Sequence, residues 1–269
     1  MLSKNVIDLT KESHSEINDI NIDIPVVNPN IIAYNKALDA VINAFHYASL
    51  VGDLETTFNA TSFTFNMVKM NKSTECITEL KKISKLFNEY SDLTDKINMA
   101  TTATAFNTAS NIFNDVADVF TKECNENNGI KIFPMTKCLN AASYGLFAVA
   151  SMYPTVTPLH MTFLYASSAL NNVSNIYTNL NATITSLKTA ANSFRDIIIN
   201  TYKMNPKNID GLYFIPNDDF NIHKPELVHI DKNKLMNIVK TLIDTTNAFI
   251  NAANAFTNVF NNNDKIRIY

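Results

Sequence analysis

The densest group of metal-binding side-chain types falls in one short segment of the last quarter of the chain. It comprises six residues, namely Asp218, Asp219, His223, Glu226, His229 and Asp231. Carboxylates and imidazoles can bind a divalent metal ion when the fold makes them converge. The surrounding segment 205–231 contains Pro206, Gly211, Pro216 and Pro225, which are typical of an irregular loop whose carboxylates stay solvated. We therefore expect no metal ion and no other cofactor.

Motifs that signal catalysis are missing from the sequence. Four glycines spread over 269 residues cannot build a glycine-rich phosphate loop, and the chain has no Gly-x-Ser-x-Gly, Cys-x-x-Cys or His-Glu-x-x-His motif. His160 lies in an apolar stretch, where a histidine is more often a structural residue of a core or turn than a pH switch. We expect that the protein is not an enzyme.

The three cysteines, Cys76, Cys124 and Cys138, are too few for a disulfide framework. Ordinary cysteine usage favours reduced, buried thiols. A single bridge between Cys124 and Cys138, across a loop, is the alternative that the sequence leaves open.

The net charge and the N-terminal sequence argue against some partners and some cellular locations. The formal net charge is −3, and the densest positive cluster, at residues 81–85, is interleaved with glutamates as on a solvated helix face. We therefore expect no nucleic-acid binding, which needs clustered cations to neutralise phosphates. Residues 1–12 resemble neither a secretory signal nor a transit peptide, so we expect a cytoplasmic protein or one released by a route other than Sec.

One long stretch of the chain carries no charge. The fifty residues from Cys138 to Leu187 contain no Asp, Glu, Lys or Arg, although 17% of the chain is charged. Two apolar segments, 141–153 and 159–170, flank a turn with Pro154 and Pro158 at its ends. Thr157 can cap the second segment and Pro158 suits a first helical position. The pattern predicts an apolar helical hairpin.

Apolar residues recur at helical spacing over most of the remaining chain. The periodicity predicts helices over about 31–52, 53–70, 73–127, 158–202 and 232–261. Gly52 would cap the first in the left-handed conformation, Asp53 would cap the second, and the third would break, if at all, near Ser91. Asp231 would cap the last.

These elements predict an all-α fold: an elongated bundle of long antiparallel helices with a central apolar helical hairpin and a small extended or β excursion. We divide the chain into five segments. They are an extended N-terminal arm (1–30), a helical bundle (31–204) with the apolar hairpin at 138–187, an irregular, extended excursion (205–231), a final bundle helix (232–262) and a C-terminal tail (263–269).

A nine-residue pattern of Ala, Leu or Phe, Ala or Val, Asn, and Phe or Tyr recurs along the chain. Full copies start at Ala37, Ala105, Ala169 and Ala248, and a copy without the first Ala starts at Ser186. Alternating spacings of three and four residues are what long packed helices require. Ancestral duplication is the alternative. The irregular distances between the copies argue against it, because repeat proteins have a fixed period.

The charge-free hairpin is the candidate functional site. Its membrane-insertion candidates are Tyr144, Leu146, Phe147, Val149, Met152, Tyr153, Leu159, Met161, Phe163, Leu164 and Tyr165. Its arms are too short and too polar for constitutive spans, which need about twenty apolar residues. Insertion could be conditional, with Ser, Thr and Asn facing a water-filled lumen in a homo-oligomer. In layout alone, the chain resembles α-helical pore-forming toxins.

Two functions remain open at this point. The more specific is a non-enzymatic, soluble helical bundle that inserts conditionally into a lipid membrane. The alternative is a structural, self-assembling or protein-interaction bundle in which the hairpin is buried core, since a helix apolar all round is usually a core helix. The sequence does not identify a protein partner.

Overall fold

In a computed structural model of the chain, the described residues 29–70, 73–125, 132–175, 179–201 and 232–266 form eight helices. They are α1 (Pro29–Val51), α2 (Glu55–Lys69), α3 (Ser73–Lys96), α4 (Ala100–Asn125), α5 (Ile132–Ser151), α6 (Pro158–Ser174), α7 (Leu180–Asn200) and α8 (Lys232–Ile266). No strand occurs within these ranges, and the predicted all-α class is confirmed. The N-terminal arm up to residue 28 and the excursion 205–231, with its six carboxylate and imidazole side chains, lie outside the described residues.

The helices form a closed series, and two of its members, α1 and α5, meet at the centre. Each helix packs against the next one along the chain, and α8 returns to pack against α1. The helices α1 and α5 also contact each other across the middle of this series. In α5 and α6, Ser143 Oγ donates to Ser167 O at 2.9 Å, and His160 Nδ1 lies 2.9 Å from Ala150 O. These two contacts require α5 and α6 to run in opposite directions.

The recurrent nine-residue pattern supplies much of the core. Its described aromatic members, Phe45, Phe113, Phe194 and Phe256, are fully buried. Its asparagines lie on the exposed side of their helices, except for the half-buried Asn43. The spacing therefore places one apolar stripe on the core face of each helix, as a packed bundle requires.

The predicted helix over 73–127 is wrong, because the chain turns back between α3 and α4. The turn at 97–99 contains Asn98 at φ 62°, a left-handed conformation that asparagine tolerates better than most residues. Ser91, where we placed a possible break, lies inside α3 and donates to Ala103 O at 2.8 Å. Its hydroxyl is satisfied by the neighbouring helix, so it has no reason to end α3.

The predicted helix over 158–202 is also wrong, since α6 ends at Ser174 and α7 begins at Leu180. Asn175 donates from its side chain to Asn171 O at 3.0 Å. Asn179 caps α7 by accepting from Ala182 N at 3.0 Å. Asparagine side chains compete with the helix for backbone groups, and here this chemistry overrides the apolar period.

The turn between α1 and α2 differs in detail from the prediction. Within the described residues no glycine has a positive φ, so Gly52 is not a left-handed cap. A Cβ at Gly52 would lie 3.0 Å from Ala48 O, so a close approach is what favours glycine there. The N-cap of α2 is Leu54, without a side-chain cap, rather than Asp53. The predicted cap of α6 is confirmed, since Thr157 accepts from His160 N at 3.2 Å.

Candidate functional site

The structure divides the eleven hairpin candidates among three environments. Leu146, Val149 and Phe163 are fully buried. The half-buried candidates are Met152, Tyr153, Leu159, Met161 and Leu164, whereas the exposed ones are Tyr144, Phe147 and Tyr165. Because α5 packs against α1, α4 and α6, the apolar character on most of its sides is accounted for by burial.

The turn between α5 and α6 is held by polar contacts to the bundle. His160 contacts Ala150 O through its ring, and Tyr153 Oη lies 3.4 Å from Val51 O at the end of α1. The ring of Tyr153 stacks on Phe163 with centroids 6.0 Å apart. Burial, and secondly the Asp53 carboxylate, raise the pKa of Tyr153 to about 12. This tyrosine is therefore neutral and structural at ordinary pH.

The two described cysteines also have structural environments. Cys76 and Cys138 are both buried. Burial, and secondly the neighbouring Cys76, raise the pKa of the Cys138 thiol. A thiol kept protonated in an apolar core is a poor nucleophile. The prediction of buried thiols is confirmed for these two residues, and Cys124 lies outside the residues whose side chains are described.

The exposed side of α5 borders a groove that α4 completes. Tyr144 and Phe147, 37% and 39% exposed, face a groove of about 300 Å³. The α4 residues that line it are small, namely Thr101, Thr104, Ala105 and Thr108. The Thr104 hydroxyl donates to Ala100 O and that of Thr108 to Thr104 O, both at 2.9 Å. With these donors already used within α4, the groove has a largely apolar character.

A second groove, of about 280 Å³, lies between α1 and α8 and is polar. It is lined by Lys36, Asp39, Asn43, Asp244, Asn247, Ala248 and Asn251. Asp39 accepts from Lys69 and lies 3.9 Å from the Lys36 ammonium, while Asn43 donates to Asp39 O at 2.9 Å. The two lysines belong to α1 and α2, so the Asp39 carboxylate is committed to intramolecular ion pairs.

The sequence drew attention to α5 but not to its neighbour α4. Residues 100–114 contain no Asp, Glu, Lys or Arg, a signal that we did not use because it is shorter than the stretch at 138–187. Only the fold brings these two uncharged segments side by side.

Metal binding and membrane spanning find no support in the described ranges. There, no three residues among His, Cys, Asp and Glu are grouped as metal ligands. None of the described helices combines the length and the apolar character that crossing a bilayer demands. Comparisons with family models, with curated proteins and with solved structures return no match for this chain.

Proposed function

We propose that this chain is a non-enzymatic, self-assembling helical-bundle protein whose α5–α6 segment belongs to the core. The observation that carries the proposal is the uncharged groove between α4 and α5, from which Tyr144 and Phe147 protrude. Exposed aromatic side chains over an apolar groove are typical of contact surfaces. We infer that the partner is a second copy of this chain.

Charge favours a second copy at this face. Residues 100–114 and 138–151 are free of charged side chains, so two copies of the face can approach without like-charge repulsion or charge desolvation. In contrast, the exposed side of α3 carries Lys81, Lys82 and Lys85, each paired with a carboxylate, and pairing two such faces would remove these charges from water. A two-fold contact would place Tyr144 and Phe147 of each copy against the groove of the other.

Sedimentation over a concentration series tests the self-assembly proposal. The full chain should shift from monomer to dimer as its concentration rises. The variant Tyr144→Lys/Phe147→Lys should stay monomeric with an unchanged helical spectrum, because burying an ammonium at the contact is costly. Ile250→Lys, at a residue of α8 that is 38% exposed, is the matched control and should still dimerise. A wild-type chain that stays monomeric at every concentration rejects the proposal.

Triggered membrane insertion is the second candidate, favoured by the turn that joins α5 and α6. Val156 in this turn is 89% exposed, and no charged residue lies within 138–187. Thr102 donates to Ser151 O at 2.9 Å, which places the 97–99 turn, with Ile97 65% exposed, at the same end of the bundle. The exposed apolar side chains of Val156 and Ile97 could enter a bilayer before the hairpin leaves the core.

Dye release from liposomes across a pH range tests insertion. If insertion occurs, Val156→Asp should abolish release without changing the melting temperature, since a charge within the bilayer costs about 2.5–3.5 kcal/mol on insertion scales. Thr155→Asp tests whether the effect depends on the apolar residue or on any charge in the turn. Absence of release by the wild-type chain from anionic and neutral vesicles at every pH removes this candidate.

A further inference from the structure

The packing of the helices repeats when each helix is replaced by the fourth one after it. The contacts α1–α2, α2–α3 and α3–α4 correspond to α5–α6, α6–α7 and α7–α8. The contact between α4 and α5 corresponds to that between α8 and α1, and the α1–α5 contact corresponds to itself. The small contact between α1 and α6 is the exception, because α2 and α5 make no contact of comparable size. This is the pattern of two four-helix units related by an approximate two-fold axis.

In three of the four pairs of corresponding helices, residues match at constant spacing. In α3 the matched residues are Ile77, Thr78, Leu80, Lys81 and Phe87, and in α7 they are Ile184, Thr185, Leu187, Lys188 and Phe194. In α4 they are Ala105, Phe106, Ala109, Asn111, Phe113 and Val116, and in α8 they are Ala248, Phe249, Ala252, Asn254, Phe256 and Val259. In α2 and α6 the shared residues are Thr57, Phe58, Ser62, Asn66 and Val68, and Thr162, Phe163, Ser167, Asn171 and Val173.

Corresponding aromatic residues make corresponding contacts. In the first unit the ring centroids of Phe58 and Phe87 are 6.4 Å apart, and those of Phe87 and Phe106 are 5.4 Å apart. In the second unit the equivalent separations are 6.1 and 5.6 Å, between Phe163, Phe194 and Phe249. A shared helical period would put phenylalanines in the core but would not select the same three-ring series twice.

A polar contact between helices also recurs. Ser62 Oγ of α2 donates to Ile42 O of α1 at 2.9 Å. Ser167 of α6, the counterpart of Ser62, is joined to Ser143 of α5 at the same distance, with Ser143 Oγ donating to Ser167 O. This contact places Ser143 of α5 opposite Ser167 as Ile42 of α1 lies opposite Ser62, with the donor reversed.

The two grooves described above occupy equivalent positions. The residues of α4 in the uncharged groove are Thr101, Thr104, Ala105 and Thr108. Their counterparts in α8, residue for residue, line the polar groove and are Asp244, Asn247, Ala248 and Asn251. The grooves share their place in the fold and differ in chemistry.

From these matches we propose that residues 29–125 and 132–266 are two copies of one four-helix unit, joined through a self-matching interface around α1 and α5. The partner that this interface fits is another copy of the unit, here supplied within the same chain. Among the copies of the nine-residue pattern, those at Ala105 and Ala248 occupy equivalent positions. The others do not, which is why that pattern alone could not separate duplication from ordinary bundle packing.

Circular permutation tests the equivalence with every helix retained. If the units are equivalent, the gap from the end of α8 to the start of α1 matches the gap from α4 to α5, which residues 126–131 span. One permutant begins at Ile132 and joins residue 269 directly to residue 1, keeping the whole sequence. The second begins at the same residue but joins residue 266 to residue 29 through only the sequence of residues 126–131.

The proposal predicts that the short-linked permutant folds and melts within about 3 °C of the long-linked one, a shift that corresponds to about 1 kcal/mol in a chain of this size. The readout is the difference between the melting temperatures of the two permutants, because both carry the same new termini. A short-linked permutant that fails to fold, or melts more than about 10 °C below the long-linked one, overturns the equivalence.

A second measurement decides the matter if the new termini prevent folding of both permutants. Ser110 Oγ donates to Ser84 O at 2.8 Å between α3 and α4, whereas the equivalent positions are the buried Ala191 and Ala253. Ser84→Ala/Ser110→Ala gives the first unit the packing of the second. It should melt no lower than either single variant, and a double variant that melts well below both overturns the proposal.

Discussion

Gly145 of α5 faces the ring of Phe45 of α1 so closely that a larger residue cannot enter without displacing it. A Cβ at Gly145 would lie 2.8 Å from Phe45 Cζ and 3.4 Å from Phe113 Cε2. The Phe45 ring has no free space to enter, because it is fully buried between two other rings. Its centroid lies 6.0 Å from that of Phe65, on which it stacks, and 6.2 Å from that of the tilted Phe58 ring. The closest approach of the two central helices therefore depends on a missing side chain.

Gly145→Ala should destabilise the protein, although alanine is the better helix former. The propensity gain is about 1 kcal/mol, whereas overpacking a close-packed core typically costs about 1–3 kcal/mol. We expect a net loss in urea unfolding monitored by circular dichroism. The double variant Gly145→Ala/Phe45→Leu should be less destabilised than the sum of the single variants, because the smaller side chain yields space to the new methyl group. If the effects of the two substitutions simply add, the cost of Gly145→Ala does not come from its contact with Phe45.

The uncharged stretch at 138–187 illustrates why sequence alone left its role open. A charge-free helix is compatible with a core or with a membrane, since both exclude water. Whether a residue of α5 is buried depends on whether it lies on the side that faces α1, α4 and α6. That orientation is set by contacts with residues distant in sequence, such as Phe45 and Phe113. Apolar periodicity predicts that α5 is a helix, but it does not predict which helices pack against it.

The structure identifies which residues of the hairpin test burial. Phe147 of α5 and Leu164 of α6 would serve poorly, because the first is 39% exposed and the second is half-buried. Leu146→Asp should cost at least about 3 kcal/mol in unfolding free energy, since it removes core packing and buries a carboxylate without a partner. Phe147→Asp, one residue away, should cost about 1 kcal/mol or less. Equal losses in thermal melts of the two variants would contradict the described orientation of α5.

Capping shows how far local chemistry can be predicted. Thr157 followed by Pro158 was sufficient to locate the start of α6, because a cap needs only its own backbone and the next three residues. At Asp53 the same reasoning failed, since the α1–α2 turn is also shaped by Tyr153, whose hydroxyl would lie 3.3 Å from a Cβ at Gly52. Tertiary contacts of this kind have no local signal.

Thr157→Ala should lower stability by about 1 kcal/mol, within the range of about 0.5–2 kcal/mol for loss of a helix cap. The cause is the loss of the bond from His160 N to Thr157 Oγ1, at 3.2 Å. Thr155→Ala, at an exposed position of the same turn, is the control and should be nearly neutral. Thr157→Ser keeps an acceptor hydroxyl and should restore most of the loss in urea unfolding.

Tyr153 should make the fold sensitive to alkaline pH. Its pKa is raised from the ordinary value of 10 to about 12, first by burial and secondly by the Asp53 carboxylate. Between these values the folded state keeps the phenolic proton that the unfolded chain has lost. The contribution to stability is therefore complete below pH 10 and is lost as the pH rises through 12.

Tyr153→Phe removes this titration. The stability of the variant should therefore fall less steeply with rising pH than that of the wild type between pH 10 and 12. The difference in slope should approach about 1.4 kcal/mol per pH unit, the free energy equivalent of one pKa unit. Urea unfolding of both proteins at pH 8, 9, 10 and 11 measures it, and the shared titration of the other tyrosines and the lysines cancels in the comparison. Absorbance at the phenolate band should show one tyrosine fewer titrating near pH 12 in the variant. Parallel stability curves from neutral to alkaline pH would falsify the assignment of a raised pKa to Tyr153.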